Sequence, residues 1–399
     1  MYEKESLIWS ALLMFVMGLG SRRQFDHEAE ADECGTLLAN LNRLAGTQAE
    51  DIPHNQTAAR YLCALPPEEL ELIPTRMVQR LVRMRALEFA RLFGLYLIAI
   101  DATGTGSSGK PCCNNCLRQE QDGKTIYYHM VLEAKLVTPG GLAFSVASEF
   151  IENADPKDTR QDCERKAVVR LMKKLKERLP RLPVCLLLDA LHANQTVFDL
   201  CKEYKWEWIA TFKEGGLPTA WDEFCRLKAL SPENFLENRV DGRCQRLSWV
   251  ADLEHAGHRF WGFDCLTYNQ DCEVQYFAWC SSMRADKKTV AVLANKGGRT
   301  RWTIENQGFN NQKNHGYDLE HVYSKDENGR KNYYLLLQIA HILMQLLVKG
   351  LLAPAFKSVI RTFKNLFRRV SRHLLSYLIP ADAVAPDMAA AIQIRLDSS

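Results

Sequence analysis

The feature that most constrains this chain is a short apolar segment that ends in a carboxylate. Residues 95–100 read LYLIAI, and Asp101 follows directly, before the small-residue run Ala-Thr-Gly-Thr-Gly. A continuous apolar run of this length predicts a strand that is buried on both faces of a sheet. In open α/β sheets, sites lie at the carboxyl ends of the strands, where Asp101 is expected. The alternative is an ordinary aspartate that begins a solvated turn.

The same pattern returns where the apolar segment Val184–Leu188 ends in Asp189. Between the two apolar segments, the sequence predicts two strands and a helix: Tyr127–Val137, Leu142–Ile151 and 158–179. After Asp189 it predicts a helix and a last strand: Thr196–Tyr204 and Trp206–Phe212. The predicted order is therefore β-β-β-α-β-α-β, in which the first three strands are antiparallel. This order predicts an α/β fold.

Two carboxylates would then lie at one edge of the sheet. The first and fourth strands can be neighbours in the sheet, and Asp101 and Asp189 then project from the same edge. Carboxylates brought together repel and raise each other's pKa unless a cation lies between them. The pair therefore predicts a divalent metal site with hard oxygen ligands.

Composition and charge restrict the classes of protein that this chain can belong to. The 399 residues are 47% hydrophobic and 25% charged, which is typical of a soluble globular protein. This length can hold two or three domains, or one domain with large insertions. The net charge of +3 gives no global basic field, so a nucleic acid would be bound by local patches. The 13 cysteines are scattered and odd in number, which indicates buried thiols in a reducing cytosol and not a disulfide framework.

Residues 1–90 have the pattern of short helices separated at Pro53, Pro66 and Pro74. The apolar run from Leu7 to Met17 is too short to span a bilayer and has no basic segment before it. We therefore expect a buried helix there, with a signal or membrane anchor as the alternative. The arginines at 76, 80 and 83 share one helical face, which is either solvated or in contact with phosphates.

Residues 213–297 interrupt the α/β order with three further strand patterns, each of which carries one tryptophan. The predicted strands are Arg243–Leu253, His258–Tyr268 and Glu273–Ser281, with Trp249, Trp261 and Trp279. We expect these rings to pack together in a small β-layer, with base stacking as the alternative.

Residues 298–313 predict a helix despite Gly308, with Arg301 and Glu305 four residues apart on one face. A solvated ion pair is the simplest interpretation of that spacing. Trp302 and Phe309 lie on an adjacent face. The following helix, 332–347, is apolar enough to be a buried core helix, with a narrow polar stripe: Gln338, His341 and Gln345.

Two remaining segments have open interpretations. Residues 357–372 are amphipathic and basic, so they could lie on a membrane surface or on DNA phosphates, and the tail after Pro380 has the pattern of a poorly ordered segment. Cys113 and Cys116 have the spacing of zinc ligands, but the sequence shows no second pair at a suitable distance. A zinc site there stays an open alternative.

With Asp101, Asp189 and Glu305 in view, the chain resembles the DDE transposases of bacterial insertion sequences, in the branch with a β-rich insertion before the glutamate. The resemblance covers roughly residues 90–350. It rests on five segments: AIDATGT at 99–105, YYHMVLEAKLV at 127–137, QDCE at 161–164, LLLDALHAN at 186–194 and RTRWTIENQGFNNQKNHGYDLEH at 299–321.

The resemblance implies a catalytic core like that of RNase H, two bound Mg²⁺ ions (Mn²⁺ as a substitute) and double-stranded DNA as substrate. Asp101 would bridge both ions, and Asp189 and Glu305 would each hold one. Arg301, Lys313 and Arg299 would contact DNA. The chain departs from the family pattern at Gly298, where a tyrosine is usual, and at Gln312, where a lysine is usual.

The predicted organisation has five parts: a helical, DNA-binding region at 1–90, a first core part at 91–212, the insertion at 213–297, the rest of the core at 298–350 and a basic segment at 351–399. The predicted function is that of a cytoplasmic, nucleoid-associated transposase, which cuts the ends of its element and joins them to target DNA as a homo-oligomer. The alternatives are a nuclease that does not join strands, a DNA-binding protein without activity, and a zinc-dependent module.

Overall fold

A computed structural model describes residues 2–111, 113–153, 162–268, 274–349, 363–380 and 396. The described residues form a mixed α/β protein in which ten strands belong to one mixed sheet. The strands are β1 (Tyr96–Ser108), β2 (Leu117–Gln121), β3 (Lys124–Val137), β4 (Ala143–Ile151), β5 (Val184–Leu188), β6 (Glu207–Thr211), β7 (Phe235–Val240), β8 (Arg243–His255), β9 (His258–Tyr268) and β10 (Val274–Ser281).

The centre of the sheet has the order β4-β3-β1-β5-β6. β1 and β3 are antiparallel, as are β3 and β4, whereas β1, β5 and β6 are parallel to one another. Both the antiparallel start and the pairing of β1 with β5 confirm the sequence prediction. β5 is buried along its whole length, as its unbroken apolar run predicts.

The insertion continues this sheet and does not form a separate layer. β10 pairs antiparallel with β6, and the order then runs β10-β9-β8-β7. The expected small β-layer was therefore wrong in this respect, because β10 supplies hydrogen bonds to the otherwise open edge of β6. The three tryptophans pack in or against one apolar cluster together with residues of β1 and β5, which confirms their packing role.

The sequence did not predict β2 and β7, because their alternation is weak. β2 reads LRQEQ, in which only Leu117 is buried, and β7 shows only partial burial of alternate residues. Such segments are held as strands by their neighbours β3 and β8 and not by burial of their own side chains.

The helices are α1 (Lys4–Val16), α2 (Arg22–Glu30), α3 (Thr36–Ala45), α4 (Asn55–Ala64), α5 (Pro67–Arg83), α6 (Glu164–Arg178), α7 (Gln195–Tyr204), α8 (Pro218–Leu230), α9 (Val290–Val292), α10 (Asn310–Asn314), α11 (Glu327–Lys349) and α12 (Phe363–Ser376). α1 is buried, as predicted, and none of the described helices has the length and apolarity of a membrane span. Pro74 lies inside α5, so the predicted break at that residue was wrong. α8 was also not predicted.

The basic segment at the carboxyl end is only partly described. Residues 363–376 are helical, as expected, and α12 packs against α3 and α1. Residues 357–362 of the predicted segment lie outside the described residues. So does the predicted tail after Pro380, apart from residue 396.

Residues 290–314 form one irregular helical stretch, which we call the composite helix. It passes from α9 through π turns at Leu293–Gly297, 3-10 turns at Gly298–Trp302 and π turns at Ile304–Phe309 to α10. The predicted helix is present, but it is not a regular α-helix. Its glycines allow close packing: a Cβ on Gly298 would lie 2.3 Å from the indole nitrogen of Trp279.

Candidate functional site

Asp101 and Asp189 lie at matching positions on two parallel neighbours. The hydrogen-bonded register of β1 and β5 pairs Tyr96 with Val184 and Ala99 with Leu187. Asp101 lies two residues after Ala99, inside β1, and Asp189 lies two residues after Leu187, directly after the end of β5. Neighbouring strands are about 4.8 Å apart, so the two residues lie side by side. The prediction that the first strand ends at Asp101 was wrong, because β1 continues through the small-residue run to Ser108 and stays paired with β3.

Glu305 approaches these two residues from the composite helix, and Arg301 lies between the carboxylates. Arg301 Nη1 is 3.4 Å from Asp101 Oδ2, and Arg301 Nη2 is 2.5 Å from Glu305 Oε1. The Arg301 side chain is about one-tenth exposed, whereas that of Glu305 is almost half exposed. The predicted pair is therefore not a solvated ion pair, because its guanidinium also bonds to Asp101 across 200 residues of sequence.

Asp101 is a largely buried carboxylate whose charge is only partly compensated. Burial raises the pKa of Asp101 to about 7, Arg301 opposes that rise, and the charge of Glu305 adds to it. One oxygen of Asp101 accepts a hydrogen bond from the backbone N–H of Ala102, at 3.0 Å. Arg301 alone therefore does not compensate the carboxylate fully.

Two titratable groups beside Asp189 were not predicted. Burial raises the pKa of Glu164, and the charge of Asp189 raises it further. Burial lowers the pKa of His192 to about 4, so this ring is neutral at pH 7. The two side chains lie 3.8 Å apart, between α6 and the turn after β5. The segments QDCE and LLLDALHAN contain both residues, but only the fold brings them together.

The predicted DNA contacts have different surroundings. Arg299 donates to Thr267 Oγ1 at 2.7 Å and lies over the ring of Phe277, so it is bound to the insertion. Lys313 pairs with Glu320 at 2.8 Å on a partly exposed surface. Gln312 is fully buried.

The departures from the family pattern have structural reasons. The space beyond Gly298 is filled by the indole of Trp279, so no side chain fits there. Gln312 Nε2 donates to Gln338 Oε1 at 2.8 Å and lies 3.0 Å from His341 Nδ1. Position 312 is thus part of a buried hydrogen-bonded core and is not available to DNA.

The same core fixes the composite helix to the sheet. Lys135 Nζ, on β3, donates to Gln338 Oε1 at 2.5 Å and lies 3.4 Å from the buried carboxylate of Glu133. Gln345 bonds to the backbone of Ala143 at 2.7 and 3.0 Å. The predicted polar stripe of α11 therefore positions the helix that carries Glu305, and His341 is buried within this core.

The described residues contain one group of three metal-binding side chains whose donor atoms all lie within 4.8 Å of one another, and it is not the acidic one. It consists of Cys113, Cys116 and His129. The spacing of the two cysteines was noted in the sequence, but His129 is on another strand and was missed as a third ligand.

The sequence matches no protein-family model, and no curated protein matches it. Function is therefore inferred from the geometry of the site.

Proposed function

We propose that this protein is a metal-dependent DNA transposase of the DDE type, which cuts phosphodiester bonds and joins the resulting 3′ ends to target DNA. The observation that carries the proposal is the position of Asp101 and Asp189 in matching register on β1 and β5, with Glu305 bonded through Arg301 to Asp101. Three acidic groups beside one another, with Asp189 directly after the end of β5, suit divalent ions.

The strand order supports a core like that of RNase H. Taken as five core strands in chain order, β1, β3, β4, β5 and β6 lie in the spatial order 3-2-1-4-5. The second strand is antiparallel to the first, and the last two are parallel to it. That order is the one the resemblance implies, and the insertion enters between the fifth strand and the composite helix.

The donor set fits Mg²⁺, with Mn²⁺ as a substitute. Asp101, Asp189 and Glu305 offer the hard oxygen ligands that Mg²⁺ prefers, and the raised pKa of Asp101 shows that this buried charge lacks full compensation. When bound, the metal would polarise the phosphodiester and lower the pKa of the attacking water. The guanidinium of Arg301 holds Asp101 and Glu305 near each other without a metal.

Arg301 has a further capacity that suits a phosphate. Its Nε–H is buried and has no hydrogen-bond partner among the described residues. A buried donor without a partner is costly, whereas a phosphate oxygen accepts such a donor strongly. We therefore assign Arg301 two tasks, which are to orient Glu305 and to contact the scissile strand once the side chains that cover its Nε–H have moved.

The test is a cleavage and joining assay with duplexes that carry the DNA flanking the gene, in Mg²⁺ or EDTA. Band-shift measurements first establish that the chosen duplex binds. We expect metal-dependent nicking and joining, lost by at least a hundredfold in Asp101→Asn, Asp189→Asn and Glu305→Gln, because each removes a metal ligand. Asp199→Asn is the matched control, since this exposed carboxylate bonds to His258 and to neither Arg301 nor the three acidic residues.

The outcomes separate the candidate functions. Nicking that never leads to joined products would indicate a nuclease. Binding of the duplex with neither reaction would indicate a DNA-binding protein without catalysis. Undiminished cleavage by the Asp101 variant would remove this site assignment.

A further inference from the structure

Three sulfur and nitrogen donors meet beside the connection between β1 and β2. Cys113 and Cys116 lie in this connection, and His129 lies on β3. The two sulfurs are 3.7 Å apart, and each is 3.4 Å from Nε2 of His129. Cys116 and His129 are nearly inaccessible to solvent, with exposed fractions of 8% and 4%.

The distances match those between the ligands of one tetrahedral zinc ion. Zn–S bonds of about 2.3 Å and Zn–N bonds of about 2.0–2.1 Å require S···S separations of about 3.8 Å and S···N separations of about 3.5 Å. The observed triangle agrees with both values to within a few tenths of an ångström. A disulfide would instead need the sulfurs about 2.05 Å apart, so the observed separation excludes a bonded pair.

We propose that Cys113, Cys116 and His129 bind one Zn²⁺ ion, in a site independent of the acidic one. Two thiolates and an imidazole select zinc over Mg²⁺, which prefers oxygen. His129 lies four residues along β3 from Glu133, which pairs with Asp101, so the two sites are about 13 Å apart along the strand. Cys112 lies outside the described residues and is not counted here as a ligand.

The site is not a zinc finger, although its spacing begins like one. Cys113, Cys116 and His129 have the Cys-x2-Cys-x12-His spacing, but the positions where a finger has its second histidine, 133–135, are Glu, Ala and Lys. The histidine also lies on a long strand and not on a helix. The ion would therefore fasten the β1–β2 connection to β3.

The connection that carries the two cysteines is also hydrogen-bonded to two other parts of the fold. Asn153 Nδ2 donates to the carbonyl oxygen of Cys116 at 3.0 Å, and Asn115 Nδ2 donates to Glu327 Oε2 at 2.8 Å. The connection is thereby bonded to the residues after β4 and to the first turn of α11. The pairing of β1 with β3 also shifts between Gly104 and Ser107, so that end of β1 depends on other constraints.

The experiment measures zinc in the full-length protein after expression with added zinc. We expect one zinc ion per chain in the wild type, and its loss in Cys113→Ser, Cys116→Ser and His129→Asn. Cys163→Ser and Cys244→Ser are the matched controls, because these thiols are exposed and lie outside the cluster. Replacement of the zinc by Co²⁺ should produce the absorption of a tetrahedral, thiolate-bound ion.

Two further measurements keep the test decisive if a variant does not fold. Removal of the metal from the wild type by a chelator should lower Tm, and zinc should restore it whereas Mg²⁺ should not. Asp101→Asn and Glu305→Gln should retain the zinc, whether or not the wild-type protein cleaves DNA. A wild type that binds no zinc when fully reduced, a Cys113–Cys116 disulfide in peptides blocked before reduction, or a folded triple variant that keeps the zinc would each overturn the proposal.

Discussion

At the scale of single residues, Asp101 combines an expected position with an unexpected environment. Its place at the end of an apolar run predicted a carboxylate at the sheet edge, and the fold adds burial and the guanidinium of Arg301. Burial raises the pKa to about 7, which means that the folded protein without metal binds a proton there more tightly than the unfolded chain does. The buried, ionised carboxylate of Asp101 therefore costs stability at neutral pH.

We expect Asp101→Asn to stabilise the metal-free protein in a pH-dependent way. Because folding raises the pKa of Asp101, the contribution of its carboxyl group to the free energy of unfolding is fully present below pH 3.8, the pKa in the unfolded chain. That contribution is lost as the pH rises through about 7. Relative to the wild type, the variant should therefore gain about 1–3 kcal/mol of unfolding free energy between pH 4 and pH 8.

Urea unfolding in EDTA at several pH values measures this difference. Asp199→Asn serves as the control, because its side chain is more than half exposed. A gap between the Asp101 variant and the wild type that stays constant across this pH range would contradict the assigned environment.

At the scale of elements, the composite helix has the predicted helical segment but not regular α-helical geometry. The spacing of Arg301 and Glu305 predicted one helical face, and the two do pair. The π and 3-10 turns coincide with close contacts: Gly297 faces Ile209, and Gly298 faces Trp279. Such turns inside a helix often occur at functional sites, since they redirect side chains by a fraction of a turn.

We expect Gly298→Ala to destabilise the protein by about 1–3 kcal/mol through overpacking against Trp279. Strain in the backbone does not contribute, because Gly298 has the helical φ of −55°. The decrease should appear as a lower urea midpoint and as altered tryptophan fluorescence.

Gly215→Ala is the matched control for that substitution. A Cβ at Gly215 meets nothing within 4 Å, so the added methyl group should leave the midpoint nearly unchanged. If Gly298→Ala unfolds at the same urea concentration as this control, the contact with Trp279 is not the reason for the glycine.

At the scale of the whole molecule, one sheet joins the parts that the sequence separated. The predicted boundary at 212 and 213 falls between β6 and the insertion, yet β10 returns to pair with β6. Apolar residues of β1, β5, β8 and β9 share one cluster: Ala99, Leu187, Leu247 and Phe263 are among its members. The insertion and the core strands should therefore unfold as one cooperative unit.

Native-state hydrogen exchange tests that expectation. Amides of β9 and β10 should open with the same free energy as those of β5, and the dependence on denaturant should also agree. Exchange from the insertion strands through a separate opening of lower free energy would show that β10 and β6 are paired without being cooperative.

The sequence alone was sufficient for the elements whose pattern is strong. Unbroken apolar runs predicted β1 and β5 as buried strands, and the carboxylates after them predicted an acidic edge, because burial and charge are local properties of a segment. Weak patterns such as β2 and β7 gave no prediction, since those strands depend on a partner for their hydrogen bonds.

Only the tertiary structure decided which distant residues meet. It brought His129 to Cys113 and Cys116, and it placed Arg301 between Asp101 and Glu305. It also buried Gln312 against Gln338 of α11. These contacts depend on strand register and on the direction in which each helix crosses the sheet, which are set by packing of the whole chain. A spacing of three or four residues can predict two members of a site, as it did for Cys113 and Cys116 and for Arg301 and Glu305. The remaining members, His129 and Asp101, lie on strands far away in the sequence, and no local pattern links them to these pairs.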